Sequence, residues 1–332
     1  MGGGGFGITY RARDQRLHGY VVVKELAFEG TAYRDTATGE VLPHEGKKPL
    51  HRKMVTRFLR EARLLNRIRN PYVVRVIDVW EERGTAYYAM DELADAGALS
   101  PVKDGFELDN WQDAASRATQ LLEALGAVHE AGMVHGDVKP DNVLVTGSGE
   151  VALIDFGTVR SDADLERTVT SMSFTPGYAP PELMQAVRIR EAGPWSDLYS
   201  WGMLVYGLVR PHPSTTGQPI DALGRMMGDD PYATTEADLV AAGMPPVWAT
   251  VVASCVSIPP YNRPKSVDET KSLLGASVPI LPTPSQRRDR SMATDPTLAL
   301  TASEQTLLQN EEMPQEAPVR LVPTLTVDGS ET

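Results

Sequence analysis

Cysteine is almost absent: among 332 residues only Cys255 occurs, inside an apolar run. One thiol cannot close an internal disulfide, so a disulfide-stapled scaffold is excluded; a reducing compartment fits, and burial is the ordinary fate of such a residue. No stretch approaches the roughly 18 apolar residues of a membrane span, and the glycine-rich start lacks the charged and apolar regions of a signal peptide. Basic residues are in deficit, with 32 Lys and Arg against 44 Asp and Glu and a formal net charge of -12. Without a local basic patch such a chain repels a phosphate backbone, which argues against nucleic acid as a partner. A cytoplasmic, soluble protein is the simplest expectation.

What is present is ordinary globular material, 42% hydrophobic and 23% charged. The length suggests about two domains. The most informative stretch is His135-Gly136-Asp137-Val138-Lys139-Pro140-Asp141-Asn142, which runs into Val143-Leu144-Val145. It sets a carboxylate, a lysine and an amide at fixed offsets. That suits phosphoryl transfer, where the protein mostly positions the nucleophile and neutralises charge. Asp137 can accept a hydroxyl proton, Lys139 can face the moving phosphoryl group, and Asn142 can hold a metal ion. A hairpin is expected next, turning at Thr146 to Gly149, so that Val151-Ala152-Leu153-Ile154 ends on Asp155-Phe156-Gly157. This returns a second metal-binding carboxylate to the first loop.

The combination of HGDVKPDN and DFG resembles the catalytic core of protein kinases, specifically the bacterial serine/threonine kinases of eukaryotic type. The resemblance implies a bilobal α+β fold over residues 1–275. Its small, mostly antiparallel sheet with one main helix spans 1–92 and its larger helical lobe 93–275, with ATP in the cleft. Gly2, Gly4, Gly5, Phe6 and Gly7 resemble the phosphate-binding loop, where glycines let backbone amides approach the phosphates. Lys24, ending the strand Val21-Val22-Val23, is implied to bind the α and β phosphates, and Glu61 to pair with Lys24. Met90 would stand at the back of the adenine pocket, and Asp91 to Leu93 would pair with adenine through their backbone. Asn142 and Asp155 would hold Mg²⁺. The chain starts on the glycine loop, without the first part of its first strand, and an upstream start is therefore expected. A chain that truly began here would bind ATP weakly, because a frayed terminus cannot hold the loop.

Phe174-Thr175-Pro176-Gly177-Tyr178-Ala179-Pro180-Pro181-Glu182 resembles the family's GTxxYxAPE, with Phe174 replacing glycine and Pro180 replacing alanine. With Lys139, Thr175 points to serine and threonine acceptors on protein substrates. Glu182 is expected to pair with Arg263, and Asp197 to brace the catalytic loop. Gly136 stands where many kinases carry the arginine that reads a phosphate on the activation segment. Changing Thr168, Thr170, Ser171 and Ser173 together to alanine is therefore expected to leave most activity intact. A kinase assay showing a loss beyond about tenfold would contradict this.

The remaining stretches read more plainly. Leu26 to Arg52 is polar, irregular and rich in breakers. A helix with Met54, Phe58, Ala62 and Leu65 on one face follows, then strands from Val73 to Trp80 and Thr85 to Met90. A long helix is expected over Trp111 to Val134, and helices from Trp248 to about Leu274. From 276 to 332, proline, serine and threonine dominate and apolar periodicity disappears, which reads as a disordered tail. Two other readings of the core stay open: a small-molecule phosphotransferase of the same fold, as its HGD suggests, and a catalytically weak scaffold. Nothing in the sequence fixes the oligomeric state.

Overall fold

The computed structural model describes residues 2–4, 7–14, 19–26, 28, 30–93, 96–99, 111–156, 160–161, 175–184, 191–279 and 281. The chain divides into two units, Met1–Leu281 and Pro282–Thr332, and the second lies outside the described residues. The first unit opens with strands β1 (Gly2–Gly4), β2 (Gly7–Arg13) and β3 (Tyr20–Leu26). With β6 (Val76–Glu82) and β7 (Thr85–Asp91) they form one antiparallel sheet in the order β1-β2-β3-β7-β6. Alternation along these strands sorts side chains onto two faces. Tyr88 and Met90 join the large core, whereas Val23, Tyr87 and Ala89 form a small cluster with Tyr10, Ala12 and Trp80.

The stretch from Leu26 to Arg52, expected to be irregular, contains a hairpin of β4 (Ala32–Arg34) and β5 (Val41–Pro43), and α1 already begins at Lys48 (Lys48–Leu65). The reason is a short buried anchor that hydropathy does not reveal. Arg34 pairs with the buried Glu25, which also accepts from the Tyr10 hydroxyl at 2.7 Å. His51 Nε2 reaches the Gly84 carbonyl at 2.8 Å. The other end of α1 buries Val55, Phe58, Leu59, Ala62 and Leu65, the i, i+3, i+4 stripe of a core-facing helix.

The helical part centres on α2 (Trp111–Glu130) and α4 (Pro194–Val209), with α3 (Pro181–Met184) preceding α4 in the chain. Helix α4 is buried almost all round, and Trp201 Nε1 donates to the Ala118 carbonyl of α2 at 2.9 Å. The helix expected to continue to Val134 stops at Glu130: Gly132 takes φ +71, the left-handed form that ends helices, and β9 (Met133–Val134) follows as a strand. Beyond β9, β10 (Val143–Val145) and β11 (Val151–Leu153) make the expected hairpin, β8 (Gly97–Ala98) pairs on the other side of β10, and β12 (Arg160–Ser161) pairs back on β9. Helices α5 (Ala222–Met226), α6 (Thr235–Ala241), α7 (Pro246–Cys255) and α8 (Val267–Leu274) close the unit. Composition puts a boundary after residue 275, but Val278 and Leu281 still pack on the core. No helix among the described residues is long and apolar enough to cross a membrane.

Behind Tyr178 a buried histidine carries a pH dependence. His212 stacks on Tyr206, with ring centroids 5.1 Å apart, and its Nδ1 is 2.9 Å from the Tyr232 hydroxyl. Burial pushes its pKa down to about 4. The unfolded chain, titrating near 6.5, binds the extra proton more readily, so the contribution is complete above about pH 6.5 and is lost as pH falls toward 4. A loss of up to about 3 kcal/mol is expected across that window. Urea unfolding at the two ends should show it, and His212→Gln should flatten the difference.

Candidate active site

Two anchors set the loop from His135 to Asn142. Asp197, fully buried on α4, accepts the backbone N–H groups of His135 and Gly136, each at 2.8 Å, and lies 2.8 Å from His129 Nε2. Burial alone would raise the Asp197 pKa, but the His129 contact, His135 and the Gly136 amide outweigh it and hold the carboxyl below its usual value. Its contribution to stability is thus present above the ordinary carboxylate range and is lost only as pH falls below it. The second anchor is His135 itself. Its Nδ1 accepts the Asp137 N–H at 3.3 Å, so Nε2 carries the proton and donates to the Ile154 carbonyl at 3.1 Å. This ties the loop to the strand end that bears Asp155.

From this frame Asp137 meets three groups. Its Oδ1 accepts the Thr175 hydroxyl at 2.8 Å and the Thr175 N–H at 3.1 Å. Its Oδ2 faces Lys139 Nζ at 2.9 Å and Asn142 Nδ2 at 3.1 Å. Lys139 also donates to Thr175 Oγ1 at 2.8 Å, closing a ring of Asp137, Lys139 and Thr175. Downstream, Glu182 and Arg263 form a completely buried ion pair at 2.6 Å, with Ser196 Oγ donating to the same carboxylate at 2.8 Å.

On the sheet, Lys24 is buried and its ammonium is ion-paired with Asp155. Burial disfavours its charge, but the Tyr88 oxygen and the Asp155 and Asp137 carboxylates outweigh this and keep its pKa raised. The pair with Glu61 implied by resemblance is replaced: Glu61, though buried on α1, accepts from Arg57 one turn earlier at 2.7 Å. Asp155 has φ +59, a conformation costly for a residue with a side chain and concentrated at functional sites. Gly7 lies against Lys24: a Cβ there would sit 2.5 Å from the Glu25 carbonyl oxygen and 3.0 Å from the Lys24 side chain. Gly2 and Gly4 lie in β1, paired with Thr9 and Gly7, so they are strand rather than loop residues. Met90, next to last in β7, is buried and stands opposite Val22 and Val76. Asp91 is ion-paired with Arg75 at 2.9 Å, and Leu93 follows it where the strand ends.

Gly5, Phe6, Gly157, Phe174, the hydroxyls of 168–173 and the tail from 282 lie outside the described residues. Sequence reading missed His129, Ser196 and Tyr88. Each is an ordinary residue at an ordinary helix or strand position, and only the fold brings it to the site.

Among the described residues no group of three or more His, Cys, Asp and Glu side chains is placed to hold a metal alone. Asn142 and Asp155 offer an amide and a carboxylate, which fits Mg²⁺: it binds through one or two protein oxygens and completes its shell with phosphate and water.

Residues 1–267 match the family model described as protein kinase domain. Serine/threonine-protein kinase PknL of Mycobacterium tuberculosis is 32% identical over 265 residues, covering 78% of this chain and 59% of the relative. Serine/threonine-protein kinase PknK of Mycobacterium bovis is 27% identical over 296 residues, covering 86% of this chain and 24% of the relative. The chain thus spans 59% or less of the length of these two relatives. A solved structure described as PpkA-294 apo form superposes with a TM-score of 0.64 at 28% identity, covering 82% of this chain and 93% of that one.

Proposed function

Because the chain belongs to the protein kinase family, we propose that it transfers the γ-phosphoryl group of ATP to serine and threonine hydroxyls of proteins, itself included. The observation that carries this reading is the ring of Asp137, Lys139 and Thr175, in which a carboxylate is held by a lysine and a threonine hydroxyl within 2.9 Å.

In this reading Asp137 orients the acceptor hydroxyl and takes its proton as the hydroxyl oxygen bonds to the γ-phosphorus. The bond from that phosphorus to the bridging oxygen breaks, and ADP departs with the electron pair. Lys139 sits beside the carboxylate and meets the charge that spreads over the moving group. Lys24 holds the α and β phosphates, and the backbone of Asp91 to Leu93 receives adenine, with Met90 behind it. Asn142 and Asp155 would hold Mg²⁺, which supplies charge neutralisation between the phosphates. Gly7, with Gly5 and Phe6, covers the phosphates. Thr175, whose hydroxyl bridges Asp137 and Lys139, supports serine and threonine as acceptors through its likeness to the serine/threonine kinases.

The single thiol supports a reducing, cytoplasmic setting. Cys255 is fully buried and burial pushes its pKa up to about 12, so it stays a packed thiol rather than a nucleophile. Intact mass after incubation with Mg²⁺ and ATP tests the function. Added phosphates mapping to serine and threonine support it; no added mass, and no transfer to a serine-containing protein, would contradict it.

A further inference from the structure

Tyr88 lies at the centre of β7, directly opposite Lys24 in the pairing of β3 with β7. It is 4% exposed. Its ring sits 5.3 Å from that of Phe58 on α1, three residues before Glu61. An apolar residue would fill this place without burying a hydroxyl, and a buried hydroxyl without a partner is costly. Because directly opposed residues of an antiparallel pair project to the same face, the register sets the Lys24 side chain beside Tyr88, with the carboxylates of Asp155 and Glu61 in the same neighbourhood.

An ammonium has three donors and no acceptor. Lys24 gives one to Asp155, the residue that would also serve the metal and phosphates. Glu61 is occupied by Arg57, on the same helix. Tyr88 differs from both, since its place is set by strand register and not by a helix or by the nucleotide.

We propose that Tyr88 is a positioning residue for Lys24: its hydroxyl oxygen accepts from the ammonium and fixes where Lys24 meets the phosphates of the nucleotide. The proposal rests on the ATP-dependent reading above. Tyr88→Phe in the full chain keeps the ring against Phe58 and removes only the hydroxyl. Calorimetry should show Mg-ATP binding weakened about tenfold, as loss of a hydrogen bond to a charged group implies. The KM for ATP should rise in parallel, the KM for the protein acceptor should stay, and the thermal midpoint should be unchanged. Tyr88→Leu, which also removes the ring, should lower the midpoint as well. Binding by Tyr88→Phe within about twofold of wild type would overturn the proposal. So would weakened binding accompanied by a lowered midpoint, which would assign the loss to packing. Weaker nucleotide binding by the variant, in a chain that phosphorylates no serine or threonine, would leave Tyr88 in its role and overturn the kinase reading alone. A wild-type chain that binds no Mg-ATP would overturn both.

Discussion

Asp137→Asn is expected to lower kcat by about 10²- to 10⁴-fold, the range that a positioned general base contributes. The asparagine keeps the shape but cannot take the proton. It also disturbs the ring, because the carboxylate accepts on both sides, from Thr175 at 2.8 Å and 3.1 Å and from Lys139 at 2.9 Å. An amide must turn its NH₂ toward one of these donors. In the proposed function nucleotide binding rests on Lys24 and the sheet, so the KM for ATP should move by no more than about threefold. Steady-state transfer to a protein acceptor, with Mg-ATP binding measured alongside, separates the two. A kcat within about tenfold of wild type would remove Asp137 from the role of base.

Arg263→Ala is expected to cost about 3–5 kcal/mol of stability, the penalty for breaking a buried ion pair from one side. Arg263 donates to Glu182 at 2.6 Å and to the Ser257 and Ile258 carbonyls, each at 2.7 Å, and lies 4.8 Å from the Tyr199 ring. Its removal strands a carboxylate that, among the described residues, retains only Ser196 Oγ at 2.8 Å. Thermal unfolding should show a midpoint lower by on the order of 10 °C. Glu182→Leu combined with Arg263→Met should recover part of the loss, because an apolar pair of similar volume leaves no buried charge. A single variant within about 1 kcal/mol of wild type would show that water or another group reaches Glu182.

The contacts within the loop from His135 to Asn142 were legible because they depend on short, fixed spacings. Asp137, Lys139 and Asn142 share one loop, and their mutual contacts follow from the chain between them. The Glu182 to Arg263 pair was legible too, but only through resemblance, since 81 residues separate its members. What escaped depends on three-dimensional competition. Glu61 was assigned to Lys24, yet Arg57 lies one turn away on the same helix and Asp155 comes in from the other side, so each charge finds a different partner. The hairpin of Ala32–Arg34 and Val41–Pro43 escaped because its anchor is a half-buried arginine paired with the buried Glu25 of β3, polar residues that carry no hydropathy signal. The Trp111 helix was overrun because Met133 and Val134 continue its apolar character and only Gly132 stops it.

The anchoring of Asp137 has a mechanical consequence. Asp197 hangs the loop that carries Asp137 from α4, among the helices, while Lys24 is mounted in the antiparallel sheet. In the proposed function the group that takes the proton and the group that holds the phosphates are thus mounted on different elements, and the Lys24 side chain spans them by its ion pair with Asp155, so packing that shifts the sheet against the helices would change both ends of the transfer at once.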